Sequence, residues 1–149
     1  MKTDPYPTFL ITIAISFVFM YGVMFLNVAS VAHIHFSLTR TYMALLMVAA
    51  MALLMSLMMG HMYPNRSRNR AIMITSIAVF VVALIGLRAQ VPIGDVQYMK
   101  AMIPHHSSAI LTSSSADLHD PEVKKLAEEI IKAQEREIAQ MEAMLSRLK

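Results

Sequence analysis

The 149-residue chain contains no cysteine, no tryptophan and only four glycines. Without thiols it has no disulfide, no thiolate nucleophile and no thiolate metal site, so any metal would have to be held by histidine, methionine and carboxylates. Few glycines and no fixed repeat exclude collagen-like and solenoid architectures, and no low-complexity tail is present. Acidic residues are almost missing from the first 89 positions, where Asp4 stands against six Lys or Arg. From Gln90 onward the balance reverses, with nine acidic residues against seven basic ones. The basic surplus therefore belongs to the first part, and the second has no basic patch for phosphate, so no nucleic-acid partner is expected.

Catalytic signatures are missing as well. There is no H-E-x-x-H, P-loop, G-x-S-x-G or dinucleotide glycine pattern, and no E-x-x-H of the kind that di-iron bundles use. Ser107 and Ser108 follow two histidines, but neighbours at i+1 point apart on a helix, which disfavours a Ser-His nucleophile. The chain does not read as an enzyme.

What is abundant is apolar surface, since 56% of the residues are hydrophobic. Three stretches approach the roughly 20 apolar residues that cross a bilayer. They are Thr8 to Val31, Thr41 to Gly60 and Ala71 to Leu87. The first is too long for the apolar core of a signal peptide and no A-x-A site closes it, so it reads as an uncleaved anchor. Arg66, Arg68 and Arg70 lie between the second and third stretches, whereas the first loop holds only Arg40. Positive loops stay inside, which places the N-terminus in the cytoplasm and residues 91–149 outside it; Arg88 at the outer edge can snorkel.

After the linker AQVPIG the pattern becomes amphipathic. Asp95 to about Ala116 reads as a helix that carries Pro104 inside it, which removes a backbone donor and leaves the carbonyl of Lys100 without its helical partner. Asp120, Pro121 and Glu122 then form a start signal for a second helix reaching about Leu148. Its apolar stripe is Val123, Leu126, Ala127, Ile130, Ile131, Gln134, Ile138, Met141 and Leu145. The fold class expected is all-α: a membrane domain over 1–90 and a helical hairpin over 91–149. Two helices bury too little to stand alone, so the hairpin is expected to pair into a four-helix bundle as a homodimer, or to pack on its own membrane helices.

Met99, Met102, His105 and His106 succeed one another within the first helix of the hairpin, most of them on one broad face. In an antiparallel hairpin they meet the segment that supplies Gln134, Glu137, Met141 and Met144. Thioether sulfur with imidazole favours copper, above all Cu(I). The competing reading treats the methionines as core filler and the histidines as a polar patch.

The segments MIPHHSSAI and QEREIAQM, in that order and spacing, resemble the bacterial domain-of-unknown-function family 305, with its M-I-x-H-H-x-x-A and Q-x-x-E-I-x-x-M patterns, over about the last third of the chain. The resemblance implies a ferritin-like bundle outside the cytoplasm and, for some members, copper binding linked to tolerance; with the three spans, the location expected is a bacterial inner membrane, with the hairpin periplasmic or extracellular. It implies Met99, Met102, His105, His106 and Met141 as ligands, with Gln134 and Glu137 in support. Members often have a methionine six residues after the second histidine, where this chain has Thr112, so one sulfur fewer is expected.

His33 and His35 lie in the first loop, on the side expected for the hairpin, and are possible further ligands. Met43, Met47, Met51, Met55 and Met59 recur every fourth residue along the second membrane stretch, over about 24 Å. The row would suit a Cu(I) path, but it drifts by about 40° per step and suits adaptable packing equally. The function expected is a membrane-anchored metal-binding protein that sequesters copper or delivers it to an exporter or acceptor. The alternatives are a metal-free interaction module and a transporter subunit.

Overall fold

The computed structural model describes residues 4–58 and 62–148. Among these, the helices are α-helical, with a 3₁₀ turn at Val31–His33. The helices are α1 (Tyr6–Val23), α2 (Leu38–Met58), α3 (Arg66–Ala89), α4 (Asp95–Ser115) and α5 (Pro121–Arg147). The chain forms two compact units: residues 1–23 with 39–92, and residues 24–38 with 93–149.

In the first unit, α1, α2 and α3 are 18, 21 and 24 residues long and apolar enough to cross a membrane. At about 1.5 Å per residue the shortest covers roughly 27 Å, close to the hydrocarbon thickness of a bilayer. Many of their large apolar side chains are exposed, Phe19 by 71%, while the buried positions are Tyr6 and Phe9 near the start of α1 and the mostly small residues Ala44, Val48, Ala49, Ala52, Ser76 and Ala83. Small residues at the contacts let helix backbones approach where lipid removes the hydrophobic incentive to associate. At Gly86 an added Cβ would lie 2.8 Å from the Tyr42 ring. The Tyr42 hydroxyl donates to the Val91 carbonyl.

The arginine-bearing end of α3 is tied to α1. Asn65 caps α3, its Oδ1 accepting from the Ser67 and Arg68 N–H groups at 3.0 Å each. Asn65 N–H donates to the Tyr6 oxygen at 3.0 Å, and the Tyr6 hydroxyl donates to Asn69 Oδ1 at 2.8 Å. Arg68 lies over the Tyr6 ring and pairs with Asp4 at 2.8 Å. That hydrogen bond, helped by the Tyr6 N–H, holds the Asp4 carboxyl below its ordinary range.

α1 stops at Val23 although apolar sequence continues to Val31. The residues beyond it are used in tertiary contacts instead of helix. Phe25 is buried, Ser30 caps the 3₁₀ turn, and the segment from Met24 to Leu38 clusters with α4 and α5. The second expected span begins earlier than Thr41, at Leu38, and its far end at Met59 and Gly60 lies outside the described residues.

In the second unit α4 packs along α5. Asp120 caps α5 as its sequence suggests, Oδ1 accepting from the N–H groups of Glu122 and Val123 at 2.9 and 3.0 Å. α4 runs through Pro104 without interruption. The core consists of Met99, Ile103, Ile138 and Leu145, with Val96, Ile110 and Met141 packed against it. The expected stripe of α5 is covered at Ala127, Ile138 and Leu145 but left open at Val123 and Leu126, which are 45% and 56% exposed. One helix covers only part of a wide stripe, and the last turn of α4 is Ser113–Ser114–Ser115, which offers no apolar cover there.

Candidate functional site

Of the two adjacent histidines, α4 turns His106 into the hairpin and leaves His105 exposed. Successive helical residues are rotated by about 100°, so the two cannot both face α5. Their ring centroids are 6.1 Å apart and the rings are nearly perpendicular.

His106 is held at both nitrogens. Nδ1 lies 2.9 Å from the carbonyl oxygen of Met102, one turn back, and Nε2 lies 2.7 Å from Glu137 Oε2 on α5. A carbonyl only accepts, so the Nδ1 position carries the proton and Nε2 is the atom turned toward the partner helix. The short contact with Glu137 then holds a further proton between Nε2 and the carboxylate. The His106 side chain is 10% exposed and that of Glu137 43%, so the pair lies at the edge of the hairpin core with its carboxylate reaching water. An imidazole fixed through Nδ1–H to a backbone carbonyl, with Nε2 left to face another ligand, is the arrangement that orients metal-ligating histidines.

The thioethers lie on the same faces. Met99 and Met102 precede His106 by seven and four residues, and Met141 follows Glu137 by four, spacings that stack side chains along one side of a helix. Met99 is buried in the core and Met141 packs against it, while Met102 is half-buried. Gln134 is half-buried on α5, and Met144 is 46% exposed. Among the described residues no three His, Cys, Asp or Glu side chains converge, so a metal here would draw on sulfur or on a second chain to complete its shell.

His33 and His35 reach the hairpin unit by way of the loop. His33 Nδ1 lies 2.8 Å from Ser107 Oγ, and His35 lines a cavity of about 430 Å³ with Phe36, Lys100 and Glu142.

Ser107, disfavoured above as a nucleophile, has a structural role that its sequence neighbours do not announce. It is fully buried, and its Oγ accepts from the Ala29 N–H at 2.8 Å as well as meeting His33. Asn27 Nδ2 donates to Ser108 Oγ at 2.7 Å, and the Leu38 N–H donates to Gln97 Oε1 at 3.0 Å. Four contacts thus pin the 24–38 segment along α4. A Ser-His contact exists after all, but Ser107 has no exposed surface from which to meet a substrate, and it serves here as an anchor. A signal was present in the spacing: Met99, Ile103 and Ser107 are each four residues apart, on the core face.

The methionine row of α2 winds as its spacing requires. Met43 and Met47 are exposed, Met51 and Met55 are half-buried, and Met59 lies outside the described residues. The buried strip of α2 is Ala44, Val48, Ala49 and Ala52 instead.

A model of the family described as a domain of unknown function, DUF305, matches residues 82–148, beginning inside α3. An uncharacterized protein of Acanthamoeba polyphaga mimivirus is 35% identical over 144 residues, which cover 94% of this chain and 92% of that protein. No solved structure matches. Because the likeness to the viral protein runs through the three apolar helices as well as the hairpin, the chain belongs to that protein's family, with a DUF305 domain as its C-terminal part.

Proposed function

We propose that this protein is a membrane-anchored metal-binding protein whose α4–α5 hairpin takes up copper, as Cu(I), for sequestration or delivery. The observation that carries the reading is the setting of His106, with Nδ1 committed to the Met102 carbonyl and Nε2 aimed at Glu137. When bound, the metal would replace the proton between Nε2 and the carboxylate. Met102 and Met141 would supply thioether donors from the same faces, and soft sulfur with imidazole selects Cu(I) over hard cations. Met99 has its place in the apolar core, and His105 in solvent is suited to receiving an ion or passing it on.

Exposed Val123 and Leu126 support a second copy as the partner that completes a four-helix, ferritin-like bundle and its coordination shell. The arginines between α2 and α3 support an orientation with that loop and the N-terminus in the cytoplasm and the hairpin outside, in a membrane such as the bacterial inner membrane. An exporter or soluble acceptor is then the expected recipient.

The test is a competition titration of the purified full chain with a chromophoric Cu(I) chelator. His106→Ala removes a direct ligand and should weaken binding by more than the roughly tenfold to hundredfold that loss of an outer-shell partner costs. Binding equal to that of the unaltered chain would remove the site.

One observation favours a second reading, the metal-free interaction module. Both nitrogens of His106 already have partners within the chain, which is also how a buried histidine is satisfied as structure. In that case the chain binds no Cu(I) with or without His106, while its self-association persists.

A further inference from the structure

We propose that the segment joining α1 to α2, residues 24–38, is itself a lipid-binding element that lies at the boundary between headgroups and acyl chains. The proposal rests on the reading of α1 and α2 as membrane spans. α1 ends at Val23 and α2 begins at Leu38, so the segment starts and finishes at one and the same interface. Lipid is therefore the surface nearest to it at both ends.

The side chains of the segment are sorted in the opposite sense to those of a loop in water. Leu26, Val31 and Phe36 are 79%, 81% and 72% exposed, whereas Ser37 is buried and His33 and His35 are half-buried. Phe25 is buried and meets the Phe36 ring nearly edge-on, with centroids 6.1 Å apart. Asn27, polar and exposed, is tied back by its amide to Ser108 Oγ. In water this arrangement leaves large apolar side chains exposed together while imidazole and hydroxyl groups turn inward. Against the acyl boundary it is the favourable arrangement, and a cluster of exposed apolar groups marks an interaction surface.

The backbone is equipped for the same place. Irregular chain is tolerated beside lipid only where its polar groups have partners. The N–H groups of Val28, His33 and Ile34 donate to the carbonyls of Phe25, Ser30 and Val31. Ala32 N–H donates to Ser30 Oγ, and those of Ala29 and Leu38 donate to Ser107 Oγ and Gln97 Oε1 on α4. The last two bonds tie α4 to the segment, and hence the hairpin to the interface.

The chain has no tryptophan, so a single tryptophan introduced by substitution reports its own surroundings. The experiment reconstitutes the full chain in phosphatidylcholine vesicles whose acyl chains are brominated either near the headgroup or near the terminal methyl, with aqueous acrylamide as the opposing quencher. Val31→Trp and, separately, Phe36→Trp should emit at blue-shifted wavelengths. Both should be quenched about twofold or more strongly by the shallow bromines than by the deep ones, as burial by roughly 5–10 Å requires. Ile15→Trp, midway along α1, should respond most to the deep bromines, and Val123→Trp at the start of α5 should respond to neither lipid. All four positions are exposed, so folding should be kept, and circular dichroism checks it. If Ile15→Trp ignores both lipids, the reading of α1 as a span fails and the proposal with it. If Ile15→Trp responds while Val31→Trp and Phe36→Trp answer to acrylamide alone, the segment faces water and the proposal alone is overturned. Blue-shifted emission without bromine quenching would assign this face to a protein partner, and quenching of Val123→Trp equal to that of Phe36→Trp would show a contact not made by the segment. Either result also overturns the proposal.

Discussion

His106 and Glu137 join the two helices of the hairpin through a 2.7 Å contact between Nε2 and Oε2, across 31 positions of sequence. Because Nδ1 is committed to the Met102 carbonyl, this contact can be closed only by a proton or by a metal ion. Glu137→Gln separates these roles. The amide NH₂ of glutamine can donate to a neutral Nε2, so the hairpin should keep its thermal stability. An amide is a far poorer ligand than a carboxylate, so Cu(I) affinity should fall. Glu137→Leu removes the hydrogen bond too and should cost about 1 kcal/mol, small because the carboxylate is partly in water. Equal melting temperatures for the Leu and Gln variants would show that the contact does not hold the hairpin.

Ser107 offers a different prediction. Its buried hydroxyl accepts from Ala29 and meets His33, so Ser107→Ala leaves both groups to find water. The expected loss is about 1 to 2 kcal/mol. It should be local: hydrogen exchange should accelerate over residues 24–38 while the amides of α4 and α5 stay protected. Acceleration spread evenly over the hairpin would mean that Ser107 supports the core and not the loop.

The contrast between these residues shows what the sequence could carry. Helical periodicity, the Asp120 cap and the apolar runs placed all five helices, because each is a local signal read within a few turns. That the His105–His106 turn of α4 lies opposite Glu137 on α5 followed from the faces an antiparallel hairpin must oppose. Two things were not legible. The end of α1 at Val23 depends on partners in α4 about 80 residues away, so composition alone extended the helix through residues that tertiary contacts hold in a loop. The choice between His105 and His106 depends on the rotation of α4 about its axis, which two adjacent histidines do not specify.

The open part of the α5 stripe predicts self-association. Leu126 is 56% exposed within one chain, so Leu126→Glu should leave the monomer folded. If a second copy covers this face, the charge should convert dimers to monomers in light scattering of the detergent-solubilised protein. An unchanged mass would place the interface elsewhere.

Asp120 caps α5 through two backbone N–H groups, so Asp120→Ala should cost about 1 kcal/mol. Asp120→Asn or Asp120→Ser, which keep an acceptor, should restore most of it. Thermal denaturation followed by circular dichroism separates the three. A loss shared by all of them would assign the effect to the carboxylate charge near the helix N-terminus instead of the hydrogen bonds.

Gly86 gives the sharpest prediction for the membrane unit. The Tyr42 ring lies where a Cβ would have to sit, and the ring is held there by its hydroxyl on the Val91 carbonyl. Gly86→Ala must therefore push the ring or α3, at a cost of about 1 to 3 kcal/mol typical of overpacking. Tyr42→Leu removes the obstacle and the hydrogen bond together, and should be destabilising by itself. In the double variant the two losses should not add, because the alanine methyl enters space the ring has left. Melting temperatures of the four proteins in one detergent close the cycle. Strict additivity would mean that Gly86 is needed for the α3 backbone and not for the contact with Tyr42.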